Sequence, residues 1–495
     1  MRNDTDIPGR AALPRSNPAD QGVDVSGIDR FVEAVAPMRG AELHSLMVLR
    51  HGHVVAERWW QPYDPGTPRQ LYSLSKSFTS TALGLAVAEG LVDLDATVLS
   101  YFPEIDPVVT DEKARSIRVR HVAAMASGHD ADTYDRALAA GDGDMLLGLL
   151  LVPPDREPGT VFAYNQPCTY ALASIIRRVS GGSLSAYLRP RLYEPLGITQ
   201  TGWDRDTLGR ELGFAGLHVP TEAIAKLGQL YLRNGEWAGR QLLSPEWVAE
   251  ATRSHIATNR AEPDWNQGYG FQFWRSRHGY RGDGAFGQVM LVLPEADAVV
   301  AITSQSPDLQ GLLNAVWAHV LPALTADTGP TRPRDAPAQE APAQEAPAAA
   351  AEPVATAGWS LPGPAGDPPT AGSEPGGFRP MAFRPGPDNE LPGLRTVRLT
   401  TTADPGPHPQ AVEIRLADAG PELVAALGAP GVWTRTGPVA TSFARSDGRL
   451  HVDLVFVETP HRLHVRLDPA TGEFLARWQT APFEDPPLAE LRMPR

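Results

Sequence analysis

A proline-, alanine- and glycine-rich stretch over residues 326–393 constrains this chain more than any other feature. It contains APAQEAPAQEAPAAAAEP, which repeats a five-residue unit, followed by GPAGDPPTAGSEPGG. Such a composition cannot bury enough apolar surface to order itself and reads as a semi-stiff linker. It divides the 495 residues into an N-terminal arm (1–24), a globular domain (25–325), the linker, a small β-rich domain (394–485) and a tail (486–495).

Hydrophobic patterning sets the fold class of the two globular parts. Ser26 is a candidate N-cap for a helix through Phe31 and Val35. HSLMVLR (44–50) and HVVAERWW (53–60) are β-prone runs separated by His51-Gly52, a hairpin signal. Helical patterning follows near 73–89, 167–180, 183–193, 221–233 and 244–254. A second hairpin is expected over 288–304 around Pro294–Asp297, then a helix near 309–320. Strands at both sequence ends with helices between them predict an α+β fold: an antiparallel sheet flanked by helices, beside a helical lobe. Beyond the linker, short alternating runs at 396–402, 411–417, 451–458, 462–468 and 473–480 predict a small sandwich or barrel. Its expected role is packing or oligomerisation, so a homo-oligomer is one arrangement it allows.

Several function classes are excluded at this level. The net charge of −14 is the wrong sign for a nucleic-acid binder. No run of about 18 apolar residues is present, so no membrane-spanning helix is expected. The first residues lack an apolar segment of the secretory type. Cys168, the single cysteine, suits a reducing compartment, and a cytoplasmic location is expected.

Only three residues are lysine: Lys76, Lys113 and Lys226. Arginine cannot lose its proton in a protein, whereas a desolvated lysine can, so each lysine is a candidate for proton chemistry. Lys76 stands in Leu71-Tyr72-Ser73-Leu74-Ser75-Lys76-Ser77-Phe78. Leu74, Phe78, Ala82 and Leu85 give helical spacing, so Ser73 lies at or just before the first turn. Lys76 shares its face, three residues on. Burial and the positive end of the helix dipole would lower the lysine pKa, and a neutral amine beside a serine hydroxyl is a base–nucleophile pair. The competing reading is a simple N-cap and a solvated lysine. Lys113 and Lys226 lack a serine partner and read as surface charges. Tyr164, in Pro158-Gly159-Thr160-Val161-Phe162-Ala163-Tyr164-Asn165-Gln166, precedes a helix and could share a proton with the pair if its pKa were depressed. His51-Gly52-His53 falls on a turn with no completing cluster, so no metal site is expected. His121 and His129 read as helix-end residues. Trp265, Tyr269, Phe271, Phe273 and Trp274 either line an acyl pocket or pack the sheet.

The chain resembles the serine β-lactamase-related family, which includes class C β-lactamases, DD-peptidases, esterases and oligoamide hydrolases. The resemblance is carried by LYSLSKSFTSTALGLAVAEGLVDLDATVLSYFPE (71–104), ELHSLMVLRHGHVVAERWWQPY (42–63), IRVRHVAAMASG (117–128), PGTVFAYNQPCTYALASII (158–176) and GAFGQVMLVLPEADAVVAITS (284–304). It implies Ser73 as acylated nucleophile, Lys76 as its proton partner and Tyr164 as general base and acid. The family's Tyr-x-Asn becomes Tyr164-Asn165-Gln166, leaving open whether Asn165 or Gln166 faces the site. The position of the family's Lys-Thr-Gly triplet is held by Gly282-Asp283-Gly284, without a cation, which disfavours carboxylate-bearing substrates. The backbone N–H groups of Ser73 and Ala285 would form the oxyanion hole. Gly284 and Ala285 are expected to be small so that substrate can approach the main chain. The implied activity is hydrolysis of small ester or amide substrates, esterase-like, with no metal or organic cofactor. The alternatives are a D-amino-acid peptidase or β-lactamase-type amidase, and a binding protein with a vestigial site.

Overall fold

The computed structural model describes residues 12–325, 359–365, 379–401 and 412–494. Helix α1 (Val25–Val35) is followed by strands β1 (Glu42–Arg50) and β2 (His53–Trp59). His51 and Gly52 both have positive φ, the backbone sign of a tight two-residue hairpin. After α2 (Ser75–Ala88), α3 (Gln166–Ser180) and α4 (Thr221–Leu232), the chain returns to the sheet. Strands β3 (Trp274–Arg275), β4 (Tyr280–Gly284), β5 (Gln288–Leu293) and β6 (Ala298–Gln305) precede α5 (Leu309–Ala315). The sheet order is β2-β1-β6-β5-β4-β3, antiparallel throughout. This is the α+β architecture expected, with a helical lobe between α2 and α4.

Period-two alternation sends the central strands' side chains into two cores. Met47, Leu49, Met290, Val292, Val299 and Ala301 face α2 and α4, while Leu46, Val48, Val289, Leu291, Val300 and Ile302 face α1 and α5. Both faces are covered, so these strands are apolar almost without interruption. Helix α2 is buried on all sides from Ser75 to Ala86, as expected for a helix sandwiched between a sheet and a lobe. Gly84 permits this packing: a Cβ there would lie 2.3 Å from the Trp247 indole nitrogen.

The C-terminal domain is built from β7 (Met381–Pro385), β8 (Thr396–Thr401), β9 (Val412–Ala417), β10 (Leu423–Leu427), β11 (Thr434–Thr436), β12 (Val439–Ser446), β13 (Arg449–Phe456), β14 (Arg462–Asp468) and β15 (Glu473–Trp478). The sheet order is β10-β9-β8-β7-β15-β14-β13-β12-β11. Only the β7–β15 pair is parallel. The sheet curls until its ends meet, where Ala426 N–H donates to Thr436 Oγ1 at 3.0 Å. The result is a barrel around Val397, Ile414, Leu416, Val452, Leu454, Leu463 and Leu467.

Two expectations, the Ser26 cap and the unstructured linker, need correction, and the arm and tail gain contacts. The N-cap of α1 is Asp24, which accepts the Ser26 N–H at 3.0 Å; Ser26 is already inside the helix. The N-terminal arm is laid down from residue 12 onward: Leu13 is buried and Arg15 bridges Val54. Part of the expected linker is structured. Trp359 and Leu361 pair with Gln61 through backbone bonds of 3.0 and 2.9 Å, Leu361 is buried, and residues 381–385 form β7. Its average composition conceals these few apolar residues, which have a partner surface. The repeated segment 336–353 lies outside the described residues. The tail also packs, burying Leu488 and Leu491 in the barrel core.

The barrel docks on the sheet domain beside α2. Gln70 N–H donates to Glu458 O at 2.8 Å, Gln305 Nε2 to Thr480 Oγ1 at 2.6 Å, and Arg462 pairs with Glu42 at 2.5 Å. Ala440, Val455 and Val457 of the barrel join the core on the α1 face. Among the described residues no helix is long and apolar enough to cross a membrane.

Candidate active site

Ser73 sits in a 3-10 turn, Tyr72–Leu74, that leads directly into α2. Every residue from Leu71 to Ala86 is buried except Ser73, which is half-buried. The turn is strained: Tyr72 has φ +48°, a conformation that costs a non-glycine residue about 1–3 kcal/mol and persists only where the surroundings enforce it.

Lys76 is 1% exposed and has three partners. Its Nζ lies 3.0 Å from Ser73 Oγ, 2.7 Å from Gln166 Oε1 and 2.9 Å from Phe214 O. Burial lowers its pKa from 10.5 to about 7, against the opposing pull of Asp132 and Asp283. In the neutral form, the amine has two hydrogens and one lone pair. The two carbonyl oxygens can only accept, so they take the hydrogens and leave the lone pair for the Ser73 hydroxyl proton.

Tyr164 lies at the other side of the amine, with Lys76 Nζ 4.6 Å from its ring centroid. Trp274 stacks on the phenol ring at 5.3 Å and 19°, and Tyr269 meets it edge-on at 6.1 Å. The aromatic cluster thus packs the sheet edge and also forms the wall that fixes this ring. Burial raises the phenol's pKa and Asp283 adds to the shift, with Ser73 and Trp274 easing it. Proton sharing with the pair was conditional on a depressed value, and burial moves the phenol the other way.

The choice between Asn165 and Gln166 depends on where α3 begins. Gln166 is its first residue and reaches Lys76. Asn165 is buried and points away: its Oδ1 accepts Thr133 N–H at 2.9 Å and Thr133 Oγ1–H at 3.0 Å. Its expected substrate contact is therefore corrected to a structural tie across the 127–133 loop.

Strand β4 closes the site against the Ser73 turn. A Cβ on Gly284 would fall 2.0 Å from Leu71 O, and one on Gly282 would fall 2.4 Å from Ser77 Oγ. These glycines allow the strand to lie on the turn, so packing alone already requires Gly284 to be small. Asp283 is buried and accepts from Arg281 Nε at 2.8 Å. Burial raises its pKa, and Arg281 opposes that. Arg281 is itself fully buried under Trp265. Ala285, which follows Gly284 at the strand's end, is half-buried.

A cleft of about 650 Å³ opens beside Tyr164, lined by Asp130, Asp132, Phe162, Ile256, Thr258 and Arg260 among others. Asp132 and the Phe214 carbonyl escaped the sequence reading. Asp132 accepts the Gln166 N–H at 3.1 Å and so anchors the start of α3. A backbone carbonyl has no residue-type signature, so Phe214 was not legible. Lys226, expected at the surface, is buried and paired with Glu222 at 3.2 Å, one helical turn away. Lys113 is half-buried and reaches the Asp155 carbonyl at 3.3 Å. His121 Nδ1 accepts the Arg118 N–H at a helix start, and His129 bridges Ser127 and the Val152 carbonyl. Among the described residues no three His, Cys, Asp or Glu side chains gather as metal ligands.

Comparison with known proteins adds the following. The family model described as Beta-lactamase matches residues 28–325. A 6-aminohexanoate-dimer hydrolase of Paenarthrobacter ureafaciens is 26% identical over 350 residues, 64% of this chain and 88% of that protein. A lovastatin esterase of Penicillium rubens is 24% identical over 163 residues, 28% of this chain and 41% of its own length. Among solved structures, a Bacillus anthracis protein proposed as a 6-aminohexanoate-dimer hydrolase superposes with TM-score 0.52 at 21% identity. That match covers 64% of this chain and 89% of the other.

Proposed function

The chain belongs to the Beta-lactamase family, a hydrolase of its serine class acting on esters or amides, and from that premise we propose that its acyl-enzyme forms on Ser73. The observation that carries this is the three-way environment of Lys76 Nζ, with two carbonyl acceptors and the Ser73 hydroxyl. The neutral amine takes the Ser73 proton as Oγ attacks the substrate carbonyl. The N–H groups of Ser73 and Ala285 hold the oxyanion, each such donor contributing about 3 kcal/mol. Tyr164 gives its proton to the leaving oxygen or nitrogen and is reprotonated from Lys76. Water, losing its proton to the same pair, then releases the acyl group.

Asp283 and Asp132 lie at the reacting side, while Arg281 is buried and spent on Asp283. A carboxylate next to the scissile bond would meet that negative charge, with Arg281 already engaged and Arg260 standing over Phe162 in the cleft wall. We therefore assign neutral esters, with amides second, as the substrate class, and place peptides ending in D-alanine below both. The single cysteine, buried in α3, fits a cytoplasmic protein.

Incubation with a fluorophosphonate should add one adduct on the Ser73 peptide, and Ser73→Ala should abolish p-nitrophenyl ester hydrolysis. Full turnover by Ser73→Ala would reject the mechanism. Faster turnover of D-Ala-D-Ala peptides than of esters would reject the substrate assignment.

A further inference from the structure

The two residues proposed to form the oxyanion hole are each flanked by a non-glycine residue with left-handed backbone. Tyr72 (φ +48°) precedes Ser73 and Phe286 (φ +64°) follows Ala285. Each conformation is one that L side chains avoid, so each has to be enforced from outside. Their rings meet edge to face with centroids 5.0 Å apart. The remaining contacts come from the C-terminal barrel. His461 lies 5.1 Å from the Phe286 ring and 6.0 Å from the Tyr72 ring, and Phe483 lies 5.1 and 5.5 Å from the same two.

One hydrogen bond gives this cluster a direction. Tyr72 Oη is 2.6 Å from His461 Nε2, and His461 Nδ1 is 3.1 Å from Thr480 O. A carbonyl only accepts, so Nδ1 carries the ring proton and Nε2 is the acceptor for the Tyr72 hydroxyl. Burial favours this neutral ring. The cohesion of barrel and sheet domain does not depend on this bond alone, because Gln70–Glu458, Gln305–Thr480 and Glu42–Arg462 also cross the interface.

We propose that His461, supplied by the C-terminal barrel, is a positioning residue for the oxyanion hole. By accepting the Tyr72 hydroxyl it fixes the turn that presents the Ser73 N–H. Through the shared ring cluster it also fixes the Phe286 turn beside Ala285. The barrel is then part of the catalytic apparatus, acting through main-chain geometry without touching substrate. This rests on the reading that Ser73 is acylated and that these two N–H groups bind the oxyanion.

The test uses the full chain and single-turnover acylation of Ser73 by a p-nitrophenyl ester, with kcat and KM measured in parallel. His461→Phe and Tyr72→Phe should each slow acylation about 10- to 100-fold, the scale of a small misplacement at a reacting centre, with KM within about twofold. The double variant should be no slower than either single one, and His461→Gln, whose Oε1 can accept the same proton, should recover most of the rate. Wild-type acylation rates in Tyr72→Phe, or in His461→Phe with an unchanged circular dichroism spectrum, would overturn the proposal, as would additive losses in the double variant. If His461→Phe does not fold, Tyr72→Phe and His461→Gln decide the matter by the same criteria. Wild-type protein that turns over ester without any acyl adduct on Ser73 would instead overturn the nucleophile assignment and this inference together.

Discussion

Lys76 Nζ lies 3.0 Å from Ser73 Oγ, and the amine's other two partners, Gln166 Oε1 and Phe214 O, can only accept hydrogen bonds. A protonated amine would have to donate to all three. A neutral one satisfies both carbonyls and offers its lone pair to the serine. With the pKa lowered to about 7 by burial, the active form grows in as pH rises. The kcat/KM for a neutral ester should therefore climb tenfold per pH unit below about 7 and level off above it. Lys76→Arg should abolish acylation at every pH, since the guanidinium stays charged. A flat profile from pH 5 to 9 in the wild type would contradict this assignment.

The same shift has a stability consequence. Lys76 is deprotonated in the folded chain above about 7 but only above about 10.4 in the unfolded chain. Between these values the unfolded state binds the extra proton, so folding stability rises with pH, by up to about 1.4 kcal/mol per unit. Below the lower value the full cost of burying the charge remains. Lys76→Met removes this term. The difference in unfolding free energy between the variant and the wild type, measured in urea at pH 6 and pH 9, should narrow in the wild type's favour at the higher pH.

Gln166 holds Lys76 by a neutral acceptor. Gln166→Glu puts a carboxylate at the same 2.7 Å distance, and an opposite charge at that range raises an amine's pKa by about 1–3 units. The ascending limb of the pH–rate profile should move to higher pH by that amount, with recovery of activity in alkaline buffer. An unmoved limb would mean that the limb does not report Lys76.

Neighbouring Asn165 should behave differently. Replacing it with Ala leaves the Thr133 N–H and hydroxyl without their acceptor in a buried loop. A loss of about 1–3 kcal/mol in stability is expected for such an orphaned pair, seen as a lower Tm, with the pH–rate limb in place. The two adjacent positions thus separate into one that tunes the base and one that ties the loop.

How much of this was legible in the sequence varied with the range of the interaction. The Ser73–Lys76 relation is an i, i+3 spacing on one helix and could be read directly, as could the hairpin at His51-Gly52. The buried Lys226 was also within reach, because Glu222 stands four residues before it. Asn165 and Gln166 could not be ordered, since they differ only in which side of the α3 start they occupy. The Phe214 carbonyl, the Asp132 anchor and the docking of the barrel on Tyr72 join residues far apart in the chain. No local periodicity encodes them. Trp359 and Leu361 were hidden by averaging over a proline-rich segment.

Gly284 gives a purely steric test of the turn that carries the nucleophile. A Cβ there would sit 2.0 Å from the Leu71 carbonyl oxygen, a main-chain atom with no flexible side chain to yield. Gly284→Ala should force β4 away from the Ser73 turn, losing about 1–3 kcal/mol as overpacking typically does. Acylation should fall more steeply than binding. If Gly284→Ala keeps wild-type Tm and turnover, the strand does not brace the turn.

The last prediction concerns the interface that brings the barrel to the site. Arg462 lies buried between Glu42 of β1 and Asp453 of β13, whose side chains are 11% and 5% exposed. Arg462→Met keeps much of the apolar stem but leaves Glu42 without its cation and Asp453 with His464 alone, both largely out of water. Breaking one side of such a buried pair costs about 3–5 kcal/mol, most of it the penalty of the stranded charge. Calorimetry should show a lower Tm, with the barrel's transition separating from that of the sheet domain because the loss falls on their junction. Adding Glu42→Gln and Asp453→Asn to the same chain removes the stranded charges and should recover part of the stability. A triple variant no more stable than Arg462→Met would show that packing of the arginine stem, and not its charge, holds the two domains together.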